Sequence, residues 1–173
     1  IKEYFQFLLT YIKLTEQSDI HKSSIFILHS SMQEGVNVQN PYLPYPVRID
    51  DITVETEDKN LKTFKFVFLN SEDEEKFEYN AGQFAELTVT GKGEIPIGIA
   101  SSPSEKGCVM FTVNKVGLVS AWLHARKVGD GRGLRGPMGN WYPWESLEGK
   151  NIVIIGGGFA FTTLRSSIIY MLD

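Results

Sequence analysis

The chain has 173 residues, which is enough for one well-packed domain and part of a second. Its 21 acidic and 17 basic residues leave a net charge of −4, without the basic excess typical of nucleic-acid-binding proteins. A single cysteine, Cys108, excludes an internal disulfide framework and any four-cysteine zinc or iron–sulfur site made by this chain alone.

The same features indicate a compartment. No apolar stretch approaches the length of a membrane span, and the run IFIL near the start is too short for a signal-peptide core. Together with the lone cysteine, which lies in the apolar run CVMFTV and is interpreted as a buried thiol rather than a nucleophile, this predicts a cytoplasmic protein.

Residues 1–39 differ from the rest of the chain. Apolar residues recur at helical spacing from Ile1 to Ile12, which predicts an amphipathic helix. We interpret it as a helix docked on its own domain or as a non-native extension, with a partner-binding helix as the alternative. The three prolines of NPYLPYP, residues 40–46, then mark a domain boundary, because proline and its preceding residue avoid the helical region.

Short strand patterns follow this boundary. Alternating apolar residues predict strands in residues 47–54, with a bulge between two halves, and in residues 61–69, 83–89 and 109–113. The charged stretch at residues 71–82 predicts a solvated loop, and residues 118–127 predict one short helix followed by a turn at 128–133. Several short strands with little helix predict an antiparallel sandwich or barrel.

The pattern changes near residue 149. The continuous apolar run NIVIIGGG, residues 151–158, predicts a parallel strand buried on both faces, and residues 161–172 predict the helix that follows it. The predicted organisation is therefore an N-terminal extension at 1–39, an all-β domain at 40–148 and the start of an α/β nucleotide domain at 149–173.

The glycines at the end of that run have the composition of a phosphate-binding turn. Gly156, Gly157 and Gly158 precede a helix whose N-terminus offers free N–H groups and a positive dipole end. The match to the dinucleotide fingerprint is incomplete, because Phe161 occupies the last glycine position. A tight turn without a ligand would look the same, so both interpretations stand.

Two further stretches offer binding groups. The small residues Ala100, Ser101 and Ser102 end a strand and permit close contact with a flat ring or a phosphate, although their composition favours an ordinary strand end with a Ser-Pro turn. Gly117 and Ser120 precede the short helix, with Ser120 as its predicted N-cap, so an anion over this helix start is one interpretation and a simple capped helix is the safer one.

A cluster of aromatic residues lies beside a predicted turn. Gly136, Pro137 and Gly139 predict the turn, and the large side chains that follow are Trp141, Tyr142 and Trp144. They would either cover a cofactor or wedge the two domains together, and we favour the wedge. The three histidines, His21, His29 and His124, lack metal-ligand spacing and are interpreted as structural or exposed.

The order of these segments resembles the ferredoxin–NADP reductase superfamily. A strand ending in IASS, a G-x-x-S helix start, a G-D…G-P-x-G segment and a Gly-rich βα turn follow one another along residues 40–173. The segments NPYLPYPVRI, GPMGNWYPW and GGGFAFTTLRS are most similar to gamma subunits of cytoplasmic nickel–iron hydrogenases and sulfhydrogenases, with electron-transfer subunits of dihydroorotate dehydrogenase and anaerobic sulfite reductase as close relatives. The resemblance implies a Greek-key flavin barrel followed by the first βα unit of a Rossmann-like domain.

The resemblance also implies a set of cofactor-binding residues. The family's Arg-x-Tyr-Ser flavin motif is replaced by Ile95, Pro96, Ile97 and Gly98, so the arginine for the pyrophosphate, the stacking tyrosine and the serine near the flavin N5 are all absent. Thr163 stands where many relatives have proline, and Arg165 and Ser166 match the helix that follows. The positions that match flavin or nicotinamide contacts are Gly98, Ile99, Ala100, Ser101, Ser102, Asn114, Lys115, Gly117, Leu118, Val119, Ser120, Gly156, Gly157, Gly158, Phe159 and Ala160.

The implied activity is electron transfer between NAD(P)H and a partner through FAD. The flavin would accept a hydride and pass electrons on singly, in the relatives to a [2Fe–2S] cluster for which this chain has no ligands. The implied partners are other subunits of a hydrogenase or heterodisulfide-reductase-type complex. The alternatives are a non-catalytic docking or relay module and an inactive fragment, because the sequence is also expected to be a truncated version of the family.

Overall fold

The computed structural model describes residues 40–173, so the predicted helix within residues 1–39 lies outside the described residues. Residues Pro41–Asp173 form one compact unit. Its strands are β1 (Tyr45–Val54), β2 (Leu61–Phe68), β3 (Phe84–Val89), β4 (Gly93–Gly98), β5 (Val109–Asn114) and β6 (Gly131–Met138). Its helices are α1 (Ser71–Lys76), α2 (Leu118–His124), α3 (Trp144–Leu147) and α4 (Phe161–Leu172), with a 3₁₀ turn at Gly158–Ala160.

All six strands form one antiparallel sheet in the order β4-β3-β6-β1-β2-β5. The edge strands β4 and β5 meet at one end, where Ile99 forms an isolated bridge with Phe111 and the Ala100 N–H donates to the Met110 carbonyl at 2.8 Å. The sheet therefore stays open but curls so that its two edges approach at this end, and its antiparallel architecture confirms the predicted all-β fold class. The bulge predicted in the first strand is present between Ile49 and Asp51.

The core lies inside the curled sheet and follows the alternation seen in the sequence. Phe64, Phe66 and Phe111 are fully buried, and the Phe66 and Phe111 rings meet edge to face at 5.9 Å. From α2, Val119 and Leu123 belong to the same buried core. No helix within residues 40–173 is long and apolar enough to cross a membrane.

Strand β6 was missed by the sequence analysis, which predicted turns at both of its ends. The strand pairs with β1 and β3 in the middle of the sheet, although it contains three glycines and Pro137 within Gly131–Met138. Gly136 and Pro137 fall where the pairing with β3 is irregular, so they interrupt the ladder without ending the strand. Its neighbours, rather than its own composition, make this segment a strand.

The stretch predicted as a solvated loop contains helix α1, so that prediction was wrong. Asn70 caps the helix, because its side-chain oxygen accepts from the Asp73 N–H at 2.7 Å. The first turn is acidic and Lys76 lies in the last turn, where it pairs with Glu72 at 2.6 Å, so the charges match the helix dipole. No residue of α1 is buried, as expected for a solvated segment.

The apolar run before the glycines does not form the buried strand that its composition predicts. Residues 151–157 have no ladder partner, and Val153 and Ile155 are 84% and 92% exposed. The reason is that no parallel strand is present in residues 40–173 for this run to join. The helix predicted to follow it forms as α4.

The packing at the barrel junction gives a stability prediction. Changing Phe111 to Ala should lower the free energy of unfolding by about 3–5 kcal/mol, because it removes a buried ring where the sheet edges meet. Urea denaturation measures this loss. Leu69→Ala is the control, because Leu69 is 57% exposed and its truncation should cost about 0.5 kcal/mol or less. Equal losses in the two variants would contradict this view of the junction.

Candidate flavin and nucleotide site

Strand β4 connects the segments that the sequence analysis singled out. Near its start, a Cβ on Gly93 would lie 3.8 Å from the Val119 side chain of α2. At its end, a Cβ on Gly98 would clash with the Thr163 hydroxyl of α4. Six residues of strand span about 17 Å from the one helix to the other. We call residues 95–102, 114–120 and 156–163 together the candidate site.

The start of α2 differs in one detail from the prediction. Gly117, not Ser120, is the N-cap residue. Ser120 is the third residue of the helix, and its Oγ accepts from the Gly117 N–H at 2.8 Å and from the Val116 N–H at 3.0 Å. A hydroxyl at this position stabilises the helix start by binding back to the cap, which is one half of a capping box. The predicted short helix is confirmed.

The start of α2 leaves two backbone donors without a hydrogen-bond partner among the described residues. No acceptor among residues 40–173 binds the N–H groups of Leu118 or Val119. A Cβ on Gly117 would meet nothing within 4 Å, and Lys115 is exposed two residues earlier. Free N–H groups beside a cation form an arrangement that suits a phosphate.

The segment after β4 is used by the protein itself. Ile99 and Ala100 are buried in the barrel, and Ser101 and Ser102 have no exposed surface. The Ser101 Oγ accepts from the Met110 N–H at 3.0 Å and lies 2.8 Å from the Tyr79 hydroxyl. Their hydroxyls thus have the ordinary role at a strand end, and residues 99–102 have almost no exposed surface with which to contact a ligand.

Tyr79 was missed by the sequence analysis. Its hydroxyl donates to the Ser102 carbonyl at 2.9 Å, and burial raises its pKa to about 12. A neutral phenol that is hydrogen-bonded below the segment holds that backbone in place. The signal in the sequence is weak, because Tyr79 stands at the end of a charged stretch that otherwise reads as solvated.

The glycine turn lies close to the end of β5. Asn114 shares a cavity of about 260 Å³ with Gly158 and Phe159, so the structure brings together a predicted flavin position and the predicted nicotinamide turn. A Cβ on Gly157 or on Gly158 would meet nothing within 4 Å, whereas one on Gly156 would lie 2.7 Å from Leu164. The turn therefore packs on α4 through Gly156 and leaves its other two glycines open.

Of the three aromatic residues predicted to form a wedge, Tyr142 and Trp144 make packing contacts of that kind. The Trp144 indole donates to the Ala81 carbonyl at 3.3 Å, and its ring lies 5.3 Å from that of Tyr170 on α4. Tyr142 packs edge to face on Trp144 and lies over Gly82. These rings link a barrel loop to α4. Trp141 is 54% exposed.

The absent flavin-motif side chains leave an apolar strand edge. Ile95 and Ile97 pack partly against the core, and Gly98 has no side chain to meet a ring. The Thr163 side chain instead occupies the space that a side chain at position 98 would take. The described residues therefore fit a dinucleotide through backbone N–H groups, open glycines and Lys115, without an arginine on β4.

The sequence of the barrel matches a known protein family. Residues 50–142, more than half of the chain, match the family described as "Oxidoreductase FAD-binding domain". The chain is a member of this family. The predicted family is thus confirmed, and the FAD-binding domain is the barrel of strands β1–β6.

Two relatives of this FAD-binding domain show how much of the family's length the chain spans. Sulfhydrogenase 2 subunit gamma of Pyrococcus furiosus is 37% identical over 134 residues, which cover 78% of this chain and 46% of the relative. A probable dihydroorotate dehydrogenase B electron transfer subunit of Methanocaldococcus jannaschii is 36% identical over 81 residues, covering 47% of this chain and 28% of the relative. The chain thus spans less than half the length of these two proteins.

Among solved structures, a ferredoxin-NADP+ reductase from Plasmodium falciparum with 2'P-AMP has a TM-score of 0.60 and 18% identity. The match covers 77% of this chain and 54% of the reductase. At this identity the likeness supports the fold alone, and it agrees with the curled antiparallel sheet described above.

His124 links α2 to the barrel core. Its Nε2 lies 2.8 Å from the Val113 carbonyl, its ring meets Phe64 edge to face at 5.8 Å, and its Nδ1 is buried without a partner among the described residues. Burial lowers the pKa of His124, and the charges of Lys62 and Lys115 lower it further. The neutral imidazole therefore donates from Nε2, and protonation would charge a buried ring nitrogen.

This histidine gives a pH prediction. A base whose pKa is lowered by folding binds more protons in the unfolded state, so stability is present above the ordinary pKa of about 6.5 and is lost as pH falls through the lower folded value. The unfolding free energy should fall from pH 7.5 towards pH 5.5, and it should fall less in His124→Gln. His21 and His29 are present in both proteins, so the difference isolates His124. Identical pH dependence in the two proteins would overturn this assignment.

Proposed function

We propose that this chain is the flavin-binding part of an oxidoreductase subunit that transfers electrons between NAD(P)H and a partner through FAD. The main supporting observation is the candidate site, in which β4 contacts α2 at one end and α4 at the other, and Asn114 shares a cavity with the open glycine turn. When bound, the flavin would supply the hydride acceptor and then release electrons singly. The residues of the chain would bind and orient the two nucleotides.

The proposed assignments follow the contacts. Leu118 and Val119 would donate their N–H groups to the FAD pyrophosphate, beside Lys115 and next to open space at Gly117. Asn114 and Gly98, which are both partly exposed, would border the ring. Gly157 and Gly158 would let a nicotinamide nucleotide approach the backbone, with Phe159 and Ala160 beginning the following helical turn.

The wider assignments rest on the relatives and on composition. We propose that residues 40–148 are the flavin domain and that residues 149–173 begin a nucleotide domain. One cysteine does not ligate a [2Fe–2S] cluster by itself, so such a cluster would be held outside this chain. Other subunits of a hydrogenase or heterodisulfide-reductase-type complex would be the partners, and the location would be cytoplasmic.

One observation favours a second candidate. Ile95, Ile97 and Gly98 replace the expected polar motif, and Thr163 covers Gly98. A chain of this kind would serve as a non-catalytic docking or relay module that binds flavin without receiving hydride. Anaerobic addition of NADH or NADPH to the FAD-loaded chain separates the candidates, because only the enzyme would lose its absorbance near 450 nm.

The pyrophosphate assignment is tested by Leu118→Pro. Proline removes one N–H but suits the first position of a helix, and Gly117, at φ −147° and ψ −177°, already has the extended conformation that a residue before proline requires. FAD titration should show a dissociation constant raised by about ten- to a hundred-fold. This corresponds to about 1.5–3 kcal/mol, the contribution of one hydrogen bond to a charged group.

Leu118→Ala is the matched control, because it shortens the same exposed side chain and keeps the N–H. Its affinity should equal that of the parent chain. Two variants with the same affinity would remove α2 from the flavin site, and a parent chain that takes up no FAD would remove the proposed function.

The glycine turn is tested by Gly157→Val. Gly157 is extended, with φ −116° and ψ 133°, and a Cβ there meets nothing, so the fold should keep its stability. The side chain would occupy the space where the nucleotide approaches. It should raise the NAD(P)H concentration for half-maximal flavin reduction by about ten-fold, a cost of about 1–3 kcal/mol typical of overpacking.

Gly156→Val is the comparison, because its Cβ would lie 2.7 Å from Leu164 and should lower stability instead. An unchanged NAD(P)H dependence in Gly157→Val would exclude the turn from nucleotide binding.

A further inference from the structure

We propose that Arg165 is a positioning residue that fixes the glycine turn against the flavin-binding strand, and this inference rests on the proposed function. Arg165 and Ser166 are consecutive residues of α4. They bind consecutive backbone carbonyls after β4: the Arg165 Nη1 donates to the Ala100 carbonyl at 3.0 Å, and the Ser166 Oγ donates to the Ser101 carbonyl at 2.6 Å. Helix α4 is thus attached to the segment that borders the candidate site.

Glu105 completes this attachment. Its two carboxylate oxygens accept from Arg165 at 2.7 and 2.9 Å, and Oε2 also accepts from the Ser102 N–H at 2.7 Å. The Arg165 guanidinium holds the pKa of Glu105 below its usual range, so the pair is charged at neutral pH. We call Arg165, Ser166, Glu105 and the carbonyls of Ala100 and Ser101 the clamp.

The underside of the clamp is rigid. Ser101 and Ser166 are fully buried, and the Tyr79 hydroxyl binds the Ser101–Ser102 backbone from the barrel side. Buried polar groups that are all paired fix one arrangement of the backbone. The clamp therefore binds α4 to a segment of backbone that is itself held in one position.

The clamp matters because other restraints on the glycine turn are few. The preceding residues 151–157 join no strand of the described sheet, so a sheet does not hold the turn from that side. Thr163, which touches Gly98, lies only two residues before Arg165, and Gly158 lies seven residues before it. Where α4 is held, the turn and Thr163 are held with it.

Arginine is required for this geometry. A bidentate pair with Glu105 and a third bond to the Ala100 carbonyl use the planar fork of the guanidinium, which the point charge of lysine does not reproduce. Arg165→Lys therefore keeps the charge while removing the clamp, and Glu105→Gln removes the carboxylate from the other side.

The test measures FAD affinity and hydride delivery separately. Arg165→Lys and Glu105→Gln should leave the FAD dissociation constant within about two-fold, because neither side chain is proposed to bind FAD. The rate constant of flavin reduction at saturating NAD(P)H should fall by roughly ten- to a hundred-fold, as a misplacement of about 1 Å does. The double variant should fall no further than the worse single variant, because both break one clamp.

Arg48→Lys is the control, since it makes the same substitution in a pair with Asp50 at 3.4 Å on β1. It should change neither quantity. A saturating rate constant in Arg165→Lys equal to that of Arg48→Lys, or a loss fully explained by weaker FAD binding, would overturn the positioning role.

Amide hydrogen exchange on the flavin-free chain keeps the clamp testable apart from the proposed function. Amides of α4 should exchange faster in Arg165→Lys than in the parent chain and in Arg48→Lys. If the parent chain takes up FAD but is not reduced, the proposed function fails while faster exchange still supports the clamp. Unchanged exchange overturns the clamp whatever the flavin does.

Discussion

The meeting of the two sheet edges at Ile99 and Phe111 is the contact on which the rest of the site depends. It links the residue that follows β4 to β5, so the open six-stranded sheet curls with its two edges close together at this end. The Ala100 N–H is bonded to β5 at the same point, so the backbone that continues into Ser101 and Ser102 has a fixed position. Helix α4 can then bind the carbonyls of Ala100 and Ser101, whose positions are fixed. Helix α2 packs near the opposite end of β4.

The site uses the backbone where side chains were expected. On β4, apolar Ile95 and Ile97 and the bare Gly98 stand at positions whose polar groups would bind a flavin in the family that the sequence resembles. The free N–H groups of α2 and the open glycines at 157 and 158 are independent of side-chain identity. A phosphate needs donors and positive potential, and a helix start beside Lys115 offers both.

Sequence reasoning succeeded where one physical rule acts alone. Alternation placed β1, β2, β3 and β5, because one face of each strand is buried, and it located the bulge between Ile49 and Asp51. The rule failed for β6, whose glycines and proline are poor strand formers and whose pairing is decided by β1 and β3. It failed for the run at 151–157 for the opposite reason, since a strong strand composition forms no ladder without a partner strand.

The candidate site shows the same division. Gly117 and the glycine triplet could be singled out from local patterns of turn and helix start, and Asn114 from the family resemblance. Glu105 and Tyr79 could not, because their roles come from contacts with Arg165 and Ser101, which are 60 and 22 residues away in the chain. Ser120, predicted as the N-cap, is instead the third residue of the helix. Long-range polar contacts decide which of the locally suggested groups face a ligand and which hold the protein together, and here the hydroxyls hold the protein while the N–H groups stay open.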